Sequence, residues 1–191
     1  VDNSDPFSAL AFRFFFVAIG FYLFSLYLKQ SIIINKKNLI ESLLSGILFH
    51  GFYLGGVFYS ISIGMPAGIA ALIVTLQPVL TNILSGPILD EKVTIKQWIG
   101  VLLGFLGATL VLGLDVGSSI PLFGLVTTVI ALIAITTSTI WQKKLSNNLP
   151  LSVSNFYQAI GGCFFHILIV ILFAEPYINF NKTFIIAMSH Q

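Results

Sequence analysis

The sequence predicts an all-α membrane protein: a polytopic helical bundle of about six transmembrane helices plus part of another. Three observations predict it. Apolar residues make up 57% of the 191 residues and charged residues 8%, against about 25% charged in a soluble domain. The apolar residues gather into six long runs, each near the roughly 20 residues that a bilayer demands. The lysines alternate between the connections of those runs. A soluble fold of this size needs a charged shell that nine Lys/Arg and seven Asp/Glu cannot supply. Soluble enzymes, nucleic-acid binders and disordered tails are thereby excluded.

The runs are Phe7–Leu28, Leu39–Ser60, Ala67–Leu89, Gln97–Leu114, Pro121–Trp141 and Leu151–Phe173. They are too long and too evenly apolar for the alternating strands of a barrel. Connections 29–38, 90–96 and 143–150 hold Lys29, Lys36, Lys37, Lys92, Lys96, Lys143 and Lys144. The alternate connections hold Lys182 alone. Seven lysines against one place the Lys-rich loops in the cytoplasm and both ends of the chain outside. Residues 61–66 are so short a connection that the second and third runs form a tight hairpin, with Pro66 where a missing N–H costs little. Val1–Pro6 lacks a basic leader, and Thr183–Met188 reads as the start of a further apolar segment. The expectation is an internal piece of a longer membrane protein, or a truncated product.

Small residues recur at GxxxG spacing at Gly51 and Gly55, and at Gly100 and Gly104, with Gly107 and Ala108 continuing the second face. This spacing lets helix backbones approach in lipid. It makes packing within the chain, or a homodimer through Gly-rich faces, the expected use. The third run carries Thr75, Gln77, Pro78, Thr81, Asn82, Ser85 and Pro87. On a regular helix Thr75, Pro78, Asn82 and Ser85 share one face. Pro78 frees carbonyls inside the membrane. The face is either a polar seam between helices or a cavity wall with a proline hinge. A second polar patch, Thr136, Thr137, Ser138 and Thr139, ends the fifth run before the interfacial Trp141. Threonines there commonly bond their own helix.

Ionisable groups in the runs are Arg13, Glu41, His50 and His166. Arg13, about two turns from the outer end, either snorkels or meets an internal partner or an anionic solute. The histidines read as hydrogen-bonded helix residues rather than proton carriers. No carboxylate sits at the middle of any run. A coupled transporter would need one outside this sequence, or would use His50. Cys163 and His166 lie three apart, but nothing marks an oxyanion hole or an activating charge, so no catalytic residue, cofactor or metal is assigned. One cysteine excludes an intrachain disulfide.

Taken together, several short motifs resemble the EamA domain of the drug/metabolite transporter superfamily. They are Gly64-Met65-Pro66-Ala67-Gly68, Leu76-Gln77-Pro78-Val79-Leu80, Leu89-Asp90-Glu91-Lys92, Gln97-Trp98-Ile99-Gly100 and Gly104-Phe105-Leu106-Gly107-Ala108. The resemblance implies a bacterial inner-membrane transporter of ten helices in two inverted repeats. Residues 1–114 would be most of the first repeat, with four helices. Residues 115–191 would be an incomplete second repeat. It also implies a central cavity lined by helices matching Leu39–Ser60, Ala67–Leu89 and Pro121–Trp141. Thr75, Gln77, Pro78, Asn82, Tyr53, Ser60, Thr136 and Ser138 are then cavity candidates, and Glu91, Arg13 and His50 gate or structural candidates. The implied function is alternating-access transport of small metabolites, amino acids or related polar compounds among them. The alternative is a non-transporting membrane subunit or fragment that acts by helix association. The expected partners are the lipid bilayer and a small-molecule substrate, with no nucleic acid.

Overall fold

A computed structural model describes residues 6–89, 93–112, 120–146 and 149–173. It is all-helical in the described residues. The helices are α1 (Pro6–Tyr27), α2 (Lys36–Gly46), a π-helical segment (Ile47–Gly55), α3 (Gly56–Ser62), α4 (Ala67–Val74) and α5 (Gln77–Leu89), followed by α6 (Ile95–Leu112), α7 (Leu122–Ser146) and α8 (Leu151–Phe173). Among the described residues, five segments are long and apolar enough to cross a membrane: Phe7–Tyr27, Lys36–Ser62, Ala67–Ile88, Leu122–Leu145 and Leu151–Phe173. The fourth predicted run appears as the shorter apolar stretch Ile95–Leu110. Its expected end at Leu114 lies outside the described residues. Large side chains such as Phe15, Leu23, Leu103, Phe123 and Ile171 are more than half exposed, as a lipid-facing surface requires.

Local chemistry sets the helix ends. The Asn35 side chain accepts from the Asn38 N–H at 2.8 Å and starts α2. Thr94 and Gln97 form a reciprocal capping box before α6. The Gln97 Oε1 accepts the Thr94 N–H at 2.7 Å, and the Thr94 hydroxyl takes the Gln97 N–H. The hairpin predicted at 61–66 is present. Two residues past α3, Gly64 turns the chain at φ +97°, a conformation that costs only glycine nothing. The Met65 N–H returns to the Ser60 carbonyl.

The chain forms two compact units. One joins residues 1–51 to residues 145–191 and contains α1, α2 and α8. α1 runs antiparallel to α8, with Tyr22 against Phe156 and Phe7 against His166. α2 crosses α8 at backbone contact. A Cβ on Gly46 would stand 2.1 Å from the Gln158 carbonyl oxygen, and one on Gly161 would stand 2.4 Å from that of Leu43. Gly162 admits the His50 side chain in the same way. The Cys163 thiol donates to the Ala11 carbonyl at 3.4 Å. Ser25, Ser42, Ser45, Ser152, Ser154 and Gln158 are all buried here, which makes the interior of this unit more polar than its apolar sequence suggests. Ser152 donates to Gln30 and the Tyr157 hydroxyl to the Ile32 carbonyl, fastening the α1–α2 connection to the start of α8.

The second span departs from the uniform α-helix expected. Its middle turns are π-helical, with an extra residue per turn and displaced carbonyls. One of those carbonyls, His50, accepts the His166 Nε2–H at 2.9 Å. His166 is fully buried, and the Phe14 ring stacks on it with 7° between planes. His166 therefore sits in a packed, hydrogen-bonded position, and the His50 ring packs on Phe14. His166→Phe keeps the ring and removes the donor. It is expected to cost about 1–3 kcal/mol, read as a lower melting midpoint in detergent.

The other unit spans residues 52–144. α3 and α4 form the hairpin, and α4 and α5 both lie against α6. Gly56 brings α3 close to α7, its Cβ position being 3.3 Å from Ala131 and from the Thr127 carbonyl. On α6 the positions of Gly100, Gly104 and Gly107 have nothing within 4 Å among the described residues.

Candidate functional site

The third predicted span is two helices. Pro78 has no N–H to give the Val74 carbonyl, so the ladder stops before it. α4 closes with the Thr75 N–H on the Ala71 carbonyl and the Leu76 N–H on Ile73 in a tighter turn. Thr75 has ψ −8°, well short of the helical value near −42°. α5 restarts at Gln77, its first bond running from the Leu80 N–H to the Leu76 carbonyl. Pro78 thus lies in the first turn of a new helix, where its missing donor costs nothing. Pro87, by contrast, is inside α5.

The break changes the predicted face. Thr75 stands at the end of α4, while Pro78, Asn82 and Ser85 share α5, so one helical register no longer connects all four. Pro78 is exposed, Asn82 is half-buried and Ser85 is buried. The Thr75 hydroxyl donates to the Leu72 carbonyl at 2.6 Å, and Ser85 donates to the Asn82 carbonyl. Gln77 reaches outward: its Nε2 donates to the Thr139 Oγ1 on α7 at 3.0 Å. Thr139 in turn donates to the Ile135 carbonyl. One turn beyond the break, the Thr81 Oγ1 and the Asn82 Nδ2 are shielded and meet no hydrogen-bonding partner among the described residues. A polar atom left so in a membrane protein costs about 1–3 kcal/mol until something satisfies it.

The remaining candidates are placed as follows. Ser60 is buried and bonds the Val57 carbonyl at 2.8 Å. Tyr53 is half-buried in the π-helical segment. Thr136 and Ser138 are fully buried, and the Thr136 hydroxyl bonds the Leu132 carbonyl. Arg13 and His50 belong to the other unit, both against Phe14. The Arg13 guanidinium carbon is 5.9 Å from that ring, and the His50 ring is 4.3 Å from it, centre to centre. Glu91 lies outside the described residues. The site that the structure assembles is therefore the α4–α5 break, with Thr75, Gln77, Thr81 and Asn82, joined to Thr139. The sequence marked the polar run on α7 but gave no sign that Thr139 was the member that Gln77 meets.

Comparison with known proteins fits this architecture. The sequence model described as the EamA-like transporter family matches residues 1–113. The chain is 27% identical over 161 residues to the "Uncharacterized transporter YvbV" of Bacillus subtilis (strain 168), a match covering 78% of this chain and 51% of that protein. The chain thus spans about half the length of the relative it matches. Apolar spans, a proline-broken third span with a shielded polar turn, and a family match over more than half of the sequence lead to one conclusion: this is a multi-pass membrane protein of the EamA-like transporter family.

Proposed function

We propose that the protein forms part of an alternating-access transporter of small polar metabolites, with the α4–α5 break as hinge and the Gln77–Asn82 turn as solute-contacting surface. The observation that carries this reading is the pair of shielded, unmet groups, Thr81 Oγ1 and Asn82 Nδ2, one turn from a helix interruption. Broken helices at membrane depth occur where they line a cavity, and they supply groups that recognise solutes. The groups at this break are neutral hydroxyls and amides, suited to a solute rich in donors and acceptors. The family membership and the transporter name of the Bacillus relative support the general activity. The seven lysines on alternate connections support an inner-membrane orientation with those loops in the cytoplasm.

The test is solute flux into proteoliposomes holding the natural full-length protein and its Asn82→Leu variant. The variant keeps the side-chain volume and loses the amide. A fall of about tenfold or more in kcat/KM for the transported solute is expected. Wild-type flux at equal incorporation would remove Asn82 from the solute path.

A further inference from the structure

We infer that the α1–α2 connection, residues 28–37, binds anionic phospholipid in the leaflet that it faces. The binding requires neither a solute nor flux, so it stands apart from the transport reading.

The connection joins the spans Phe7–Tyr27 and Lys36–Ser62, so it emerges at a face of the membrane. A connection that ends in water is expected to be polar throughout. This one carries three consecutive isoleucines, Ile32, Ile33 and Ile34. The outer two are half-buried and Ile33 between them is 91% exposed, the alternation of an extended segment. Tyr27, just before the connection, is 81% exposed. The backbone that presents Ile33 is fastened. The Tyr157 hydroxyl donates to the Ile32 carbonyl at 2.9 Å, and Ser152 donates to Gln30.

Three exposed lysines flank this apolar point: Lys29, Lys36 and Lys37. Each is within four positions of Ile33, hence within roughly 14 Å of it by the reach of the chain. No carboxylate occurs from Leu28 to Ile40. Lys36 and Lys37 open α2, whose first turn holds no acidic residue and where the helix dipole is itself positive. Lys29 closes α1 at φ +54°, with its N–H on the Leu26 carbonyl and the Gln30 N–H on that of Ser25. Glycine is the usual residue at that helix-ending position, and lysine adopts the conformation at a backbone cost. The connection thus holds positive charge that the helices bearing it do little to neutralise.

An isoleucine set among lysines is matched by an anionic leaflet. The apolar side chain enters the acyl boundary, and the ammonium groups stay at the phosphates. A tyrosine at the same level is the usual companion. An acidic protein partner would match the lysines but would leave Ile33 without an apolar counterpart, whereas acyl chains already lie beside the ends of both spans. A leaflet, unlike a single ion, does not require the groups to converge on one point. The orientation proposed above makes it the cytoplasmic leaflet.

The experiment measures backbone hydrogen exchange of residues 29–38 in the natural full-length protein, in nanodiscs of phosphatidylcholine alone and with a rising fraction of phosphatidylglycerol. Exchange is expected to slow as phosphatidylglycerol rises, and added salt is expected to reverse the slowing. The variant with Lys29→Gln, Lys36→Gln and Lys37→Gln is expected to lose the lipid preference. Each lysine near an anionic surface contributes about fivefold, so the three together contribute on the order of a hundredfold. The matching Lys→Arg variant keeps the charge and is expected to keep the preference. Ile33→Ser is expected to raise exchange in both kinds of bilayer. Equal exchange of the wild type in both bilayers would overturn the inference and point instead to cover by another part of the protein. A lipid preference that survives high salt, or one unchanged in the Lys→Gln variant, would also overturn it. So would an Ile33→Ser variant that exchanges like the wild type.

Discussion

Gly46→Ala is expected to lose about 3 kcal/mol of stability, a drop of roughly a hundredfold in the folding equilibrium. The added methyl would stand 2.1–2.6 Å from the carbonyl oxygen, Cα and carbonyl carbon of Gln158. These are backbone atoms, so no rotamer change makes room. α2 must move off α8, and the displacement reaches the Gly161–Leu43 contact beside it. The seal over Ser42 and Ser45, both fully buried, then opens. The measurement is the fraction folded against denaturant in detergent, with Gly104→Ala as the comparison. Among the described residues nothing lies within 4 Å of the Gly104 position, and a solitary helix glycine costs about 0.5–1 kcal/mol relative to alanine. That variant should therefore gain slightly. Equal stability of the two variants would mean that the α2–α8 crossing is looser than its backbone contacts imply.

Pro78→Ala has the larger functional effect. Alanine restores the N–H that closes on Val74 and favours a continuous helix by about 3 kcal/mol. A bias of that size shifts the straight and broken populations by roughly a hundredfold. Spin labels at Ala67 and Ile88 should approach the roughly 32 Å expected of an unbroken helix. On the proposed hinge mechanism, solute exchange then slows at least tenfold while folding stability holds or rises. A straightened helix with undiminished exchange would take the hinge out of the transport cycle.

The spans were legible because lipid imposes a simple requirement: a long run without charge. The start of α6 was legible for a local reason, since Thr94 and Gln97 act within one turn. The π-helical segment was not. Ile47–Gly55 reads like any apolar stretch, and the partner that one of its carbonyls meets, His166, lies 116 residues away. The glycines divide in the same way. GxxxG spacing at Gly100 and Gly104 was plain in the sequence, yet their positions meet nothing in the described residues. Gly46, Gly161 and Gly162, which carry the tight crossing, follow no such pattern with one another. At the candidate site, Pro78 announced the break by its chemistry alone. The bond from Gln77 to Thr139 spans 62 positions, and only the folded arrangement reveals it.

The unit that joins α1 and α2 to α8 has a consequence for biogenesis. Its first two helices leave the ribosome about a hundred residues before the third, a delay of roughly 5–20 s at ordinary elongation rates. During that interval Ser25, Ser42 and Ser45, all sealed in the finished unit, have no α8 to cover them, and the face of α2 that carries Gly46 stands open to lipid. The newborn pair must be sheltered by the insertion machinery or tolerate the wait. Truncation before Leu151 should accordingly leave a nascent chain that quality-control proteases recognise, even though its first two hydrophobic segments are intact.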